Sequence, residues 1–116
     1  MNEHKNDRER IYHIRDAIQK IISFTIGFNE ENYLSNSLVQ SAVERQLEII
    51  GEASFHLSEE IKEKYSEVEW YKIKSFRNFI AHEYFGVSSK RIWIVVIRDL
   101  PILEKSIQKI ILDLKW

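Results

Sequence analysis

The sequence contains no cysteine, which excludes disulfide bonds and thiolate metal sites and fits a reducing compartment. Only three glycines and one proline occur in 116 residues, a scarcity typical of long helices joined by few turns. No apolar run approaches the roughly 18 residues of a membrane span, and the polar N-terminus is unlike a signal peptide. We therefore expect one soluble, cytoplasmic domain over residues 1–116, with residues 1–6 frayed and no membrane contact.

The sequence also lacks an excess of charge of either sign, because 17 basic residues stand against 18 acidic ones. Proteins that bind polyanions over their whole surface carry a strong basic excess, so any nucleic-acid substrate must be attracted by a local patch. Phosphate-cradling glycine loops and paired-carboxylate arrangements are missing. His4, His13 and His56 are scattered without a second ligand at metal spacing, so we interpret them as surface residues and expect no metal site.

Apolar residues at three- and four-residue spacing predict amphipathic helices along the chain. The first is expected from Asn6 to about Phe28, followed by a turn at 29–32, and the second from Ser35 to about Leu57, with Leu38 on its apolar side. Gly51 and Ala53 in its middle predict a close approach of another helix.

Two serines are candidate helix caps: Ser58 is followed directly by Glu59 and Glu60, and Ser66 has a glutamate three residues later, as in a capping box. Ser58 is expected to start a short helix to about Tyr65, and Ser66 a long helix that ends near Gly86. The last helix should begin at Ser88 or Ser89, with a kink or a restart capped by Asp99 before Pro101.

The predicted fold is all-α: an antiparallel bundle of four long helices plus one short helix. Several large apolar side chains exceed what such a bundle needs for its interior, so we expect some of them to form a twofold dimer interface. These residues are Trp93, Phe76, Phe79 and Val95.

One stretch of the third long helix, the one expected to start at Ser66, concentrates polar groups that can carry chemistry: Arg77, Asn78, His82 and Tyr84. At about 100° per residue, Arg77 and Tyr84 share a face that is otherwise apolar, while His82 lies about 140° from Arg77. Arg77 and His82 therefore converge only if the helix ends or bends there, or if a second chain contributes.

The string Arg77-Asn78-x3-His82-x-Tyr84, with Trp70 before it, resembles the Arg-x4-His-x-Tyr signature of HEPN-domain proteins, specifically the HepT toxins of HepT/MntA toxin–antitoxin modules. The likeness extends over residues 7–115. Arg8 and His13 have the same Arg-to-His spacing but lack the following asparagine and tyrosine.

Arginine is a permanently charged fork that suits phosphate, and histidine can move a proton near neutral pH. Together, Arg77 and His82 suffice for metal-independent, cofactor-free cleavage of RNA by its own 2′-hydroxyl, with Asn78 in support. The leaving oxygen also needs an acid, so a dimer with two motifs in one cleft is expected, as the resemblance also implies. The resemblance further implies that an MntA-like nucleotidyltransferase antitoxin transfers AMP to Tyr84 and silences the toxin. RNA rather than DNA is the expected substrate.

Alternatives remain open on the sequence. The chain could be a non-catalytic dimeric HEPN accessory subunit that binds nucleotide or presents substrate to a nucleotidyltransferase. Arg77 could simply pair with Glu52 or Glu69. Arg45 and Glu52 could form an ion pair or flank the active groove. A basic rim would favour the ribonuclease and a narrow apolar pocket the accessory subunit; the rim residues would be Lys72, Lys74, Lys90 and Arg91.

Overall fold

The computed structural model describes residues 3–78 and 88–116, with side chains from residue 6 onward. This part of the chain is helical and contains no strand, as predicted. In chain order its α-helices are α1 (Glu3–Thr25), α2 (Glu30–Leu34), α3 (Ser37–Phe55), α4 (Glu59–Lys64), α5 (Trp70–Lys74), α6 (Ser89–Ile94) and α7 (Leu100–Asp113). No helix in these two ranges is long and apolar enough to cross a bilayer.

The core forms where α1 packs against α3 and α7, and α3 also receives α5 on another side. Isoleucines dominate this interior: Ile11, Ile14 and Ile21 of α1 are fully buried, as are Ile50 of α3 and Ile107 of α7. Burying such a side chain contributes roughly 1.5–3 kcal/mol. The core thus fixes α3 between α1 and α5.

The first turn region differs from the prediction. α1 ends at Thr25, not Phe28, because Gly27 takes a left-handed φ of +78° that stops the helix. Residues predicted as a turn then form the short helix α2, which Asn29 caps by accepting a hydrogen bond from the Asn32 backbone N–H at 2.9 Å. The expectation that residues 1–6 fray concerns the start of α1 and stays a prediction.

The short helix α4 is confirmed, and its cap also ties it to α1. The Ser58 hydroxyl accepts a hydrogen bond from the Ile61 N–H and donates one to Asp7 Oδ2 at 2.5 Å. Asp7 is buried and its Oδ1 also accepts from the Ser58 N–H at 2.9 Å. By contrast, Leu38 was wrongly placed on the apolar side of α3, since it is 79% exposed.

The predicted capping box at Ser66 is wrong. Residues 66–69 form a turn instead, and α5 begins at Trp70 after Glu69, whose side chain makes no cap hydrogen bond. Tertiary burial explains the difference: Val68 and Trp70 are both buried, and the Trp70 indole N–H donates to the Tyr65 carbonyl at 3.1 Å. After Lys74 the α-helix tightens into a 3₁₀ segment, Ser75–Asn78. The continuation to Gly86 lies outside the described residues.

The last helix begins after Ser88, which caps it as predicted, and Ile92–Ile97 is helical. A π-helical segment, Val95–Asp99, joins α6 to α7 without a break. The helix is therefore irregular before Pro101, but the side chain of Asp99 does not cap a new helix as predicted. Asp99 Oδ1 instead lies 3.5 Å from Lys72 Nζ of α5.

The prediction that some apolar side chains exceed the needs of the core is also wrong for the three that the structure describes. Trp93, Phe76 and Val95 are all at most 7% exposed, because they pack into the chain's own core. Trp93, for example, stacks on the buried ring of Tyr33 with centroids 5.0 Å apart. Phe79 lies outside the described residues. These aromatic and apolar residues therefore give no support for a dimer interface.

Candidate functional site

Gly51 of α3 allows the 3₁₀ segment to pack closely against this helix. A Cβ built on Gly51 would lie 2.3 Å from the backbone nitrogen of Arg77, a distance no real side chain tolerates. The close approach predicted at Gly51 is therefore confirmed, and its partner is the backbone of Arg77 itself. Because the two backbones are in contact here, the main chain of Arg77 is held against α3.

The side chain of Arg77 is held by two further contacts from α3. Its guanidinium carbon lies 4.0 Å from the centroid of the Phe55 ring, within cation–π range. Its Nε lies 4.0 Å from Glu52 Oε2. Of the two carboxylates predicted as possible partners, Glu52 is thus the one in contact. Since both groups are partly exposed, this pair contributes little to stability, at most about 1 kcal/mol.

These contacts leave the outer end of the guanidinium available. Both contacts involve Nε and the flat face, and among the described residues no acceptor contacts the two terminal Nη groups. Arg77 is 35% exposed, so those donors can reach solvent or a ligand. A planar fork oriented in this way suits a phosphate group, which accepts two parallel N–H bonds.

Arg77 lies at the boundary between two depressions of the surface. The larger, which we call the α1–α3 groove, has a volume of about 550 Å³. The smaller, of about 210 Å³, is lined by Lys74, Asn78 and the Phe55 ring. Asn78 is exposed beside Arg77, so the structure brings these two predicted site residues together. His82 and Tyr84 lie outside the described residues.

Charges of both signs line the α1–α3 groove: Arg10, Arg45 and Arg77 together with Glu9, Glu48 and Glu52. Arg45 pairs with Glu48 one turn further along α3, so the proposed Arg45–Glu52 ion pair is absent and both residues flank the groove. The groove is therefore polar and nearly balanced in charge. This lining does not resemble the narrow apolar pocket that would favour an accessory subunit.

The predicted basic rim is present only in part. Lys74 lies beside Arg77, but Lys72 faces Asp99 of the π segment and Lys90 lies 4.0 Å from Glu30 Oε1 of α2. Arg10 and Arg45 supply positive charge at the groove in their stead. Their spacing in the sequence gave no signal, because they come from different helices that only packing brings together.

Two histidines interpreted as scattered surface residues also line the groove. His13 belongs to α1, and His56 follows the end of α3, where its Nε2 lies 3.0 Å from Glu52 Oε1. The described residues contain no cluster of three side chains that could hold a metal ion. Sequence analysis did not place His56 near Arg77, because the two residues are linked only through Glu52. Glu52 contacts Arg77 only when the 3₁₀ segment packs against α3.

Comparisons with known proteins show which family the chain resembles. Residues 14–110 match the family of HepT-like ribonucleases. A protein of Caldanaerobacter subterraneus subsp. tengcongensis, provisionally named an RNase, is 36% identical over 92% of this chain and 96% of its own length. Another protein with that provisional name, from Methanocaldococcus jannaschii, is 36% identical over 96% of this chain and 92% of its own.

A third relative, named a probable ribonuclease HepT, comes from Thermococcus cleftensis and is 33% identical over 91% of this chain and 96% of its own length. No solved structure gives a significant match. The family match covers most of the chain and includes all of α3 and Arg77, but it begins at residue 14, after the α1 residues that line the α1–α3 groove. The chain belongs to the HepT-like ribonuclease family of HEPN proteins.

Proposed function

We propose that the protein is the toxin of a toxin–antitoxin pair, a metal-independent endoribonuclease that cleaves RNA in the cytoplasm with Arg77 and His82. The observation that carries this proposal is the set of contacts around Arg77: Gly51 admits its backbone, Phe55 and Glu52 contact its guanidinium, and no described residue hydrogen-bonds its terminal donors. The relatives named as ribonucleases support the substrate class.

The proposed reaction is transfer of the phosphodiester from the 5′-oxygen to the neighbouring 2′-oxygen of the RNA. His82 takes the proton of the 2′-hydroxyl, and Arg77 stabilises the charge that gathers on the phosphoryl oxygens. We assign to Asn78, which is exposed next to Arg77, a hydrogen bond to a phosphate or to His82. A homodimer with two motifs in one cleft supplies both copies of these groups. Sedimentation of an active protein as a strict monomer would contradict the dimer.

The test is expression of the wild-type chain and of His82→Ala from a tightly repressed promoter, with growth and total RNA followed together. We expect growth arrest and RNA cleavage with the wild type and neither with the variant. An Arg77→Lys variant keeps the charge but loses the planar fork, and should lose most of the activity. Intact RNA and normal growth with the wild type would favour the non-catalytic accessory subunit.

Regulation is proposed to occur at Tyr84, by AMP transfer from an MntA-like nucleotidyltransferase antitoxin. A phosphodiester near Arg77 would neutralise the guanidinium and block the groove, because the terminal Nη donors of Arg77 are available to bind it. We expect Tyr84→Phe to remain toxic and to escape silencing. Rescue of that variant by a co-expressed antitoxin of this type would refute the modification as the silencing step.

A further inference from the structure

His56 occupies a defined position in the α1–α3 groove. It is the C-terminal capping residue of α3, and its backbone carbonyl accepts a hydrogen bond from Arg10 Nη1 of α1 at 2.8 Å. Its imidazole remains 49% exposed toward the groove. The backbone is therefore tied to α1 while the ring is open to a ligand.

One carboxylate connects this imidazole with the guanidinium of Arg77. Glu52 Oε1 lies 3.0 Å from His56 Nε2, and Oε2 of the same carboxylate lies 4.0 Å from Arg77 Nε. A carboxylate bonded to one ring nitrogen fixes the tautomer and orientation of a histidine and stabilises its protonated form. Since Nε2 faces Glu52, Nδ1 is left for proton exchange, and no described residue hydrogen-bonds it.

RNA cleavage needs this second proton-transfer group. In the proposed function, His82 removes the 2′-hydroxyl proton, but the 5′-oxygen that leaves must gain a proton at nearly the same time. A single imidazole cannot do both in one step. His56 lines the same groove as Arg77, the group proposed to bind the phosphate, and imidazole is the side chain most often used for proton transfer in catalysis.

We propose that His56 is the general acid of the reaction and that Glu52 is its positioning residue; the inference rests on the proposed ribonuclease function. In the step, the 2′-oxygen gives its proton to His82 and bonds to phosphorus. The bond between phosphorus and the 5′-oxygen breaks, and His56 Nδ1 donates its proton to that oxygen. The products are a 2′,3′-cyclic phosphate and a 5′-hydroxyl. Water then returns both histidines to their starting protonation states.

The homodimer of the proposed function brings two copies of His82 to one cleft, and the present inference assigns the role of acid to His56 instead of the second His82. Other charged and titratable groups line the same groove: Glu52, Glu9, Arg10, His13 and Arg77. His13 is the matched control, because it is the other described histidine in the groove and has no hydrogen bond to Glu52.

The experiment compares two short RNA substrates, one normal and one with sulfur in place of the leaving 5′-oxygen. A thiolate leaves without being protonated, so the second substrate does not need the acid. We expect His56→Ala to lower kcat on normal RNA by roughly 10²–10⁴-fold with little change in KM. On the sulfur substrate most of the loss should disappear.

Controls separate the roles. His13→Ala should change the rates on the two substrates by the same factor, without the recovery on the sulfur substrate, and His82→Ala should be slow on both. Glu52→Gln should lose part of its activity on normal RNA and regain it on the sulfur substrate, whereas damage to Arg77 would affect both substrates. Circular dichroism of each variant checks that it folds.

The outcomes distinguish this inference from the proposed function. No cleavage of either substrate by the wild-type protein would overturn both. A wild type that cleaves RNA and depends on His82, with His56→Ala unaffected or equally slow on both substrates, would overturn the role of His56 alone. Full loss on normal RNA with recovery on the sulfur substrate would establish it.

Discussion

Tyr33 is fully buried under Trp93, and its hydroxyl has no hydrogen-bond partner among the described residues. Burial raises the pKa of the Tyr33 phenol well above its usual value near 10, and the nearby Glu44 raises it further. Above pH 10 the unfolded chain loses this proton first, so the folded state is progressively disfavoured as pH rises. Below pH 10 the phenol is protonated in both states, so its ionisation takes no stability away from the fold.

We predict that Tyr33→Phe leaves the free energy of unfolding at pH 7 unchanged or raises it by about 1 kcal/mol, because an unsatisfied hydroxyl is removed. Above pH 10 the variant should lose stability less steeply than the wild type. Urea denaturation at pH 7 and pH 10.5 measures both effects. A clear loss of stability at pH 7 would contradict the prediction.

Tyr65 is the matched control. Burial, followed by the charge of Asp113, raises the pKa of its phenol, but its hydroxyl donates to Asp113 Oδ2 at 3.3 Å. Tyr65→Phe therefore removes a hydrogen bond and should lower stability at pH 7 by about 0.5–1.5 kcal/mol.

At the scale of the elements, the contact between α3 and the 3₁₀ segment decides the position of the site. Alanine at position 51 would gain about 1 kcal/mol of helix propensity over glycine. Against this, its Cβ would lie 2.3 Å from the Arg77 nitrogen, a backbone atom that cannot move without shifting the whole segment. Such overpacking costs about 1–3 kcal/mol, so the steric term prevails.

We predict that Gly51→Ala lowers the free energy of unfolding by up to about 2 kcal/mol, the overpacking cost less the gain in helix propensity, and reduces RNA cleavage further than this loss explains, since Arg77 is displaced. Ser41→Ala, at an exposed position of the same helix, should change neither. Thermal unfolding and single-turnover cleavage rates test the pair. Normal activity of Gly51→Ala would show that the close approach does not position Arg77.

At the scale of the whole molecule, 17 basic and 18 acidic residues leave no general attraction for RNA. Positive charge at the α1–α3 groove comes from few side chains, and glutamates lie among them. Each single-strand phosphate contact contributes about 0.7 to the slope of log affinity against log salt concentration. Binding should therefore show a shallow slope that few arginines determine.

We predict that Arg10→Ala and Arg45→Ala each reduce this slope by about 0.7 if one phosphate contact is lost. Arg15→Ala is a control, because Arg15 lies on α1 over the Tyr12 ring and does not line the groove. Fluorescence anisotropy with labelled RNA over a range of salt concentrations measures the slope. Equal slopes for all three variants and the wild type would place the RNA elsewhere.

The elements that could be predicted are those determined by local chemistry. The apolar spacing of Ile11, Ile14, Ile18 and Ile21 defines α1, the serines at 58 and 88 cap the helices that follow them, and Gly51 marks a close approach. The predicted start of the helix that contains α5 was wrong, because the burial of Val68 and Trp70 outweighs the capping preference of Ser66. The π segment before Pro101 likewise follows packing that no local pattern encodes.

The sequence by itself determined the helical class, the family and the identity of the polar residues from Arg77 to Tyr84, since these depend on residue type and spacing along the chain. Only the tertiary structure decided what surrounds Arg77. Glu52 and Phe55 lie more than 20 positions from it in the sequence and contact it because α3 and the 3₁₀ segment approach at Gly51. Such partners are set by the packing of helices in three dimensions, which spacing along one helix does not reveal.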